Sequence, residues 1–222
     1  MQGPTHLMLS WYLAESTGVQ SARDRRIVAW AGFAPDLDVL AYAGAIVWYG
    51  FNKDLAYENV WQVVHHRYTH GMLFVLLSGV VAWWLASRTP ARARVALLAL
   101  LVSAIHNFCD IVGGGPTWPI YPVWPFSAFK WYASWSWAIG EWPNLVILFG
   151  CLGAMFGYAW AMGRSPVECF GDRINSWFTA VVRGERKQAV SAGAARLRWL
   201  IWLSVVAVTI AILAPLRFNP FD

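Results

Sequence analysis

The heptapeptide HHRYTHG, residues 65–71, holds three of the five histidines in this chain. Within it, His66 and His70 are four residues apart. On an α-helix both imidazoles would project from one face and could bind a single metal ion. Downstream, the sequence HNFCD places His106 and Asp110 at the same spacing. Neutral imidazoles and carboxylates are common ligands of zinc, manganese and iron. The two pairs therefore predict a metal site built from two helices.

Further possible ligands lie upstream of these pairs. Asp36 and Asp38 follow a proline in GFAPDLD, and His6 stands near the beginning of the sequence. The candidate metal ligands are His6, Asp36, Asp38, His66, His70, His106 and Asp110. These are more donors than a tetrahedral zinc site uses, so the sequence predicts two or more divalent ions, with zinc favoured over manganese or iron.

The polar residues around these candidates suggest a chemistry. Two metal ions can activate a water and stabilise the attacking and leaving oxygens at phosphorus, with Asp36 or Asp110 as the bridging carboxylate. Arg67 is expected to hold a phosphate oxygen through its guanidinium. Thr69 and Asn107 are expected to hydrogen-bond to the ligand imidazoles and to orient them. On this interpretation Arg67 and Asp110 are the catalytic residues.

The composition places this chemistry in a membrane. Residues of hydrophobic type make up 58% of the chain and charged residues only 13%, whereas soluble domains average about 25% charged residues. Such a chain has too few charges to cover a water-facing surface, so we expect an integral membrane protein. The formal net charge of +5 comes from basic residues in loops between apolar runs. Anionic lipid headgroups explain it better than nucleic acid does.

Hydrophobic periodicity predicts an all-α fold, a polytopic helical bundle in which all 222 residues form one integral membrane domain. Residues 4–143 are expected to form the metal-site core, and residues 144–222 two further spans joined by a basic amphipathic interfacial helix. The predicted helices are 4–17, 26–34, 71–86, 95–112, 144–162, the interfacial helix around 174–181, and 199–214. The first two are too short to span and are expected to be half-membrane elements. Prolines and aromatic residues in 113–143 predict an irregular interfacial cap.

The distribution of positive charge predicts a topology. Thirteen of the seventeen lysines and arginines fall in the loops 18–26, 87–94 and 163–198, which the positive-inside rule places in the cytoplasm. The candidate ligands then converge at the outer leaflet. In a competing arrangement the apolar run 39–51 spans first and separates His6 and the aspartates from the other histidines. Convergence is favoured because ionisable groups near a bilayer are costly unless they are paired or metal-bound.

At these residues the sequence resembles the YdjM-like family of bacterial inner-membrane metal-dependent hydrolases. The resemblance rests on THLMLS with His6, PDLD with Asp36 and Asp38, HRYTHG with His66, Arg67, Thr69 and His70, HNFCD with His106 and Asp110, and Trp124–Pro125. It covers about residues 4–127. Val39, Tyr68 and Gly71 depart from the patterns common in such families. The resemblance implies a multi-pass inner-membrane hydrolase of phosphate esters, distantly similar to zinc-dependent phospholipases C.

The leading hypothesis from the sequence is a metal-dependent hydrolase that cleaves a phosphoester in a lipid or lipid-linked substrate. A metal or proton-coupled transporter using the same His/Asp cluster is the alternative, although we find no internal repeat of the kind that transporters carry. A third possibility is an electron carrier whose haem is bound by two histidines. The bilayer is the expected partner, and the sequence leaves the oligomeric state and the roles of His65 and Glu141 open.

Overall fold

The computed structural model describes residues 1–185, and over this range the fold is an all-helical bundle, as predicted. The α-helices are α1 Gly3–Ser16, α2 Ala22–Phe33, α3 Val39–Trp48, α4 Lys53–Ala56, α5 Met72–Leu85, α6 Arg92–Gly113, α7 Trp142–Met162 and α8 Asp172–Val182. Short 3₁₀ segments run over Ala34–Asp38 and Pro166–Phe170, and π-helical segments over Tyr57–Trp61 and Val64–Thr69. The predicted span 199–214 lies outside the described residues, as do Arg186, Lys187, Arg196 and Arg198.

Helices α1 and α2 form a hairpin that packs on α6. The N-cap Ser21 begins α2 by accepting a hydrogen bond from the backbone N–H of Asp24. Small buried side chains such as Ala14, Val28 and Ala99 line the helix contacts, and their size lets the helix axes approach closely. With 14 and 12 residues, the two helices are about 21 and 18 Å long. That is shorter than the roughly 30 Å hydrocarbon core, as predicted.

A second hairpin, α5–α6, completes the core. Gly79 is required there because a Cβ atom at this position would lie 2.5 Å from Cγ of Leu100. The hydroxyl oxygen of Ser103 lies 3.0 Å from the carbonyl oxygen of Ala31 and 2.8 Å from the hydroxyl oxygen of Ser78. These small groups fix α2, α5 and α6 relative to one another without bulky side chains.

Two of the described helices, α6 and α7, are long and apolar enough to cross a membrane, which agrees with the spans predicted at 95–112 and 144–162. Helix α5 was also predicted to span, as residues 71–86, but its 14 residues are too few. It reaches that length only together with Lys53–Thr69, from which it is bent by 66°. The bend falls at His70 and Gly71, the last two residues of the HHRYTHG sequence, so the helix break and a candidate ligand coincide.

The aromatic-rich segment between α6 and α7 is irregular, as its prolines predict. Ile120 and Trp131 exchange two backbone hydrogen bonds of 2.9 Å and hold the segment in a loop. The backbone N–H of Tyr121 donates to the carbonyl of His66 at 2.9 Å, and that of Met72 to the carbonyl of Pro122 at 2.8 Å. We call this segment, 114–141, the aromatic cap; it covers the histidine-rich sequence. Its interfacial position remains a prediction, as does that of α8.

Candidate metal centre

Helix α6 supplies the pair that the sequence predicts most directly. His106 and Asp110 lie one turn apart, and both are buried, with exposed fractions of 1% and 3%. Nε2 of His106 is 3.4 Å from Oδ2 of Asp110. Charged groups inside an apolar bundle are costly unless other groups compensate them. The side chains around this pair therefore determine whether its charge is compensated and whether it can bind a metal ion.

The HHRYTHG sequence contributes His70, but through an unexpected backbone. Residues Val64–Thr69 are π-helical, and the backbone N–H of His70 donates to the carbonyl of His65, five residues earlier, at 3.2 Å. Residues five apart therefore face the same way, and the rings of His65 and His70 lie 3.8 Å apart. The predicted α-helical alignment of His66 with His70 is wrong for this reason.

Four side chains converge on one point. Nε2 of His70 lies 3.0 Å from Nε2 of His106 and 3.1 Å from Oδ2 of Asp110. Oδ1 of Asp36, from the 3₁₀ segment after α2, is 3.5 Å from Nε2 of His106. One donor atom from each of these residues falls within a set whose members are all within 4.8 Å of one another. We call Asp36, His70, His106 and Asp110 the primary group.

The hydrogen bonds of the two imidazoles fix which nitrogen faces this point. Nδ1 of His106 lies 2.7 Å from the carbonyl of Gly32, and Nδ1 of His70 lies 2.9 Å from that of His65. A carbonyl can only accept a hydrogen bond, so each Nδ1 carries the proton and each Nε2 of the neutral ring has a free lone pair. In the neutral rings two lone pairs thus face each other at 3.0 Å beside two carboxylates. A cation bound between the two nitrogens, or a proton shared by them, would relieve their repulsion.

The geometry fits a small divalent cation. Two nitrogens bound to one zinc at tetrahedral angles lie about 3.3 Å apart, given Zn–N bonds of about 2.0–2.1 Å. The 3.0 Å separation of the two Nε2 atoms is close to this value. Buried Oδ2 of Asp36 has no hydrogen-bond partner among residues 1–185. The primary group can therefore hold a metal ion, and its mixed nitrogen and oxygen donors suit zinc, manganese or iron.

Asp36 is the most accessible member of the primary group. Its side chain is 18% exposed, while those of His70 and His106 are fully buried. Burial raises the pKa of the Asp36 carboxyl to about 6, and a bound cation would favour its charged form. Because the other three members are enclosed, a ligand from outside reaches the primary group past Asp36.

His6, from α1, lies against the primary group as predicted. Its Nε2 is 3.0 Å from Oδ1 of Asp110, and its ring stacks on that of His106 with 3.7 Å between centroids. The amino group of Met1 is 2.5 Å from the same carboxylate oxygen. Asp110 therefore faces the primary group with one oxygen and α1 with the other. This is the convergence that the sequence favoured, so the competing arrangement with 39–51 as a separating span is wrong.

A second group, Asp38, His65 and His70, lies beside the first. Oδ2 of Asp38 accepts hydrogen bonds from Nδ1 of His65 at 2.7 Å and from the hydroxyl of Thr69 at 2.8 Å. Burial alone would raise the pKa of Asp38, but these hydrogen bonds lower it overall. The buried Nε2 of His65 has no hydrogen-bond partner among the described residues. His65, left open by the sequence, is therefore a potential ligand positioned by a carboxylate.

The family model described as YdjM inner membrane protein matches residues 1–217 of the chain. The chain belongs to this family. The match covers every segment that contributes to the two groups, and the family description agrees with the two helices long enough to cross a membrane. Comparison with curated proteins and with solved structures gives no match.

Two predicted site residues of this YdjM family member contact the aromatic cap. His66 belongs to neither group; its ring packs on Trp118 of the aromatic cap at 4.5 Å. Arg67 stacks on the rings of Tyr121 and Trp124, with its guanidinium carbon 5.2 and 4.9 Å from their centroids. The position of His66 follows from the π-helical turn, which rotates His65 instead of His66 towards Asp38.

Of the two residues expected to orient the imidazoles, Thr69 contacts one: its hydroxyl lies 3.0 Å from Nδ1 of His70. The side-chain amide of Asn107 donates instead to the backbone carbonyl of His70, at 3.0 Å. Gly32 has a comparable role that the sequence did not reveal, because its carbonyl orients His106. Only its lack of a side chain in a helix hinted at a close contact. Glu141, which was left open, is an exposed residue at the N-cap of α7.

Replacing Gly32 by alanine is expected to weaken metal binding about 10–100-fold, the usual cost of disturbing a group that orients a ligand. A Cβ atom there would lie 1.9 Å from Oγ and 2.7 Å from Cβ of Ser10, so α1 and α2 must separate and the Gly32 carbonyl must shift. Metal titration of the purified protein measures the effect. Gly150→Ala in α7 is the matched control, because its Cβ would meet nothing within 4 Å. Adding Ser10→Gly to Gly32→Ala should restore affinity; unchanged affinity in the single variant would contradict the role of this carbonyl.

Proposed function

We propose that this protein is a membrane-bound metal-dependent hydrolase that cleaves a phosphoester in a lipid or lipid-linked substrate. One observation carries the proposal: the Nε2 atoms of His70 and His106 face each other at 3.0 Å beside the carboxylates of Asp36 and Asp110. Backbone carbonyls hold the other nitrogen of both rings, as in metal sites whose imidazoles are oriented in advance. A divalent cation bound there supplies a Lewis acid that polarises a phosphoryl oxygen and activates water.

The remaining residues would bind the cation, leave one side of it accessible and bind the substrate phosphate. His70, His106 and Asp110 are enclosed and hold the cation, whereas Asp36 lies on the accessible side, where the substrate phosphate would arrive. Catalytic metal sites keep such an open position. Cation–π contacts with Tyr121 and Trp124 hold the Arg67 guanidinium in place, and they leave N–H groups that can donate to an anionic oxygen. We propose that Arg67 binds the phosphate through these N–H groups.

A second ion would be bound through His65. Asp38 fixes its Nδ1, which leaves the buried and unpartnered Nε2 as the donor atom. A carboxylate behind a ligand imidazole is a recurrent arrangement in zinc sites. This supports the stoichiometry of two or more ions predicted from the sequence, with zinc as the first candidate and manganese or iron as the others.

The same geometry supports a position in the membrane. His106 and Asp110 lie 14 and 18 residues after Arg92 along α6, or about 21 and 27 Å from its basic end. If the basic turn with Arg88, Arg92 and Arg94 is cytoplasmic, as the positive-inside rule indicates, the metal centre lies in the outer half of the bilayer. We therefore propose that the substrate comes from the outer leaflet.

Metal removal tests the hydrolase directly. Detergent-purified protein should release the alcohol or phosphate of a phospholipid substrate, lose this activity after treatment with a chelator, and regain it when zinc or manganese is returned. Mixed phospholipid vesicles serve as the first substrate, with products identified by mass spectrometry. Bound metal without any turnover, combined with metal uptake into vesicles that contain the protein, would instead identify a transporter.

A further inference from the structure

An apolar groove runs along the outside of the bundle between α2 and α5. Its volume is about 460 Å³, and both of its walls are apolar. Side chains that line it include Ile27 and Trp30 from α2, and Phe74, Leu77 and Val81 from α5. Leu77 is 54% exposed and Val81 is 42% exposed. In a membrane protein such a surface lies against lipid unless another element covers it.

The two ends of the groove differ. At one end it is lined by Leu37, which stands between Asp36 and Asp38, and by Phe74, four residues after His70. At the other end Arg23 donates a hydrogen bond to the carbonyl of Leu85. Both helices that form the walls thus connect to metal-binding segments at the same end. The groove has a metal end and an arginine end.

The dimensions suit one hydrocarbon chain. On this wall the lining runs from Arg23 of α2 to Ala34, the residue directly after α2, a rise of eleven residues or about 16 Å. This is close to half of the roughly 30 Å hydrocarbon core, the depth that one leaflet contributes. The length of the groove therefore matches the depth over which an acyl chain of one leaflet extends.

We propose that this groove holds one acyl chain of the substrate phospholipid, with the phosphate at the primary group and the chain end towards Arg23. The inference rests on the proposed hydrolase function and names its substrate class as an acyl-chain lipid of the bilayer. The groove walls bury the chain while the leaflet supplies it by lateral diffusion. Apolar clefts of about 300–1,000 Å³ with a few polar groups at one end are typical of ligand sites.

The chain contains a matched control surface. A second apolar groove lies between α5 and α6, lined by Leu76, Val80 and Trp83 among others. Unlike the first, it is not lined by residues next to the metal ligands. Leu76 and Leu77 are neighbours, are the same residue type and are each 54% exposed. Leu77→Trp obstructs the proposed chain site, whereas Leu76→Trp makes the same change in the other groove.

The test uses phosphatidylglycerol with a photoactivatable diazirine at one of two positions, either near the ester or at the end of the chain. Wild-type protein in nanodiscs is irradiated and the labelled residues are mapped by mass spectrometry. We expect the ester-proximal probe to label the Leu37 and Phe74 end, and the terminal probe the Leu85 end. Leu77→Trp should lower this labelling about tenfold, which corresponds to 1.4 kcal/mol, and Leu76→Trp should not. Equal labelling of both grooves overturns the proposal, as does the reverse polarity, with the ester-proximal probe at Arg23.

Turnover separates this inference from the proposed function. A soluble nitrophenyl phosphodiester has no acyl chain, so it reports on the metal centre alone. We expect Leu77→Trp to raise KM for the long-chain phospholipid about tenfold and to leave kcat/KM for the soluble ester unchanged. If wild type hydrolyses the soluble ester and both tryptophan variants behave alike on the phospholipid, the groove inference fails and the hydrolase stands. If wild type hydrolyses neither ester, the proposed function fails, whatever the labelling pattern.

Discussion

Asp110→Asn is expected to leave the protein folded and to lower its metal content to less than about a tenth of the wild-type value. Even residues that only orient a ligand are worth about 10–100-fold in metal affinity, and Asp110 supplies a ligand atom as well as negative charge. Its two oxygens contact His70 and His6. The amide of asparagine keeps the shape but removes the charge, and its NH₂ group cannot bind a cation. Hydrolysis should fall below detection with the metal.

Elemental mass spectrometry of the purified protein measures this effect, with thermal unfolding as the check on folding. Asp54→Asn is the control, because Asp54 is an exposed carboxylate on α4. His65→Phe provides a second comparison: if two ions bind, it should remove one of them and leave the ion in the primary group. Full metal content in Asp110→Asn would contradict the assignment of the primary group.

The sequence predicts the candidate ligands on the α-helix α6 better than those in the π-helical segment. His106 and Asp110 lie within a long regular helix, so their four-residue spacing translates directly into a shared face. His66 and His70 have the same spacing, but the backbone between them follows i to i−5 hydrogen bonds. Periodicity of apolar residues does not reveal such a turn. Consequently His65 and not His66 meets Asp38.

The convergence of distant segments was predictable for a different reason. His6 and Asp110 are 104 positions apart in the chain, yet their contact follows from the cost of leaving either group alone in an apolar bundle. The orienting carbonyl of Gly32 was not predictable, because any residue supplies a carbonyl and its direction depends on how α2 packs. Side-chain type thus indicated which groups meet, while the tautomers and the open side of the site required the structure.

One buried network outside the two candidate metal groups is not indicated by the sequence. Glu168, on the 3₁₀ segment after α7, accepts two hydrogen bonds from Arg25 of α2, at 2.6 and 2.9 Å. It also accepts one from the indole N–H of Trp11 of α1, at 2.7 Å. Glu15 adds a second carboxylate 3.4 Å from Arg25. Basic residues of the 18–26 loop were interpreted as lipid-facing charges, but Arg25 is only 3% exposed. It joins the first hairpin to the segment that follows α7.

Glu168→Gln is expected to lower the free energy of unfolding by about 1.5–3 kcal/mol, because it removes the carboxylate that accepts two hydrogen bonds from buried Arg25, while Glu15, 3.4 Å away, still compensates part of the charge of Arg25. Glutamine retains the shape and can still accept from Trp11, so the loss reports the charge of Arg25 more than a packing defect.

Asp172→Asn is the matched control. Asp172 pairs with Arg26, the next residue along α2, but its side chain is 78% exposed, and exposed pairs contribute about 0–1 kcal/mol. Denaturant titration of both variants in detergent measures the difference. Equal stability of the two variants would mean that water or lipid already compensates Arg25. Metal content should stay at the wild-type value in both, because neither carboxylate belongs to the primary or second group.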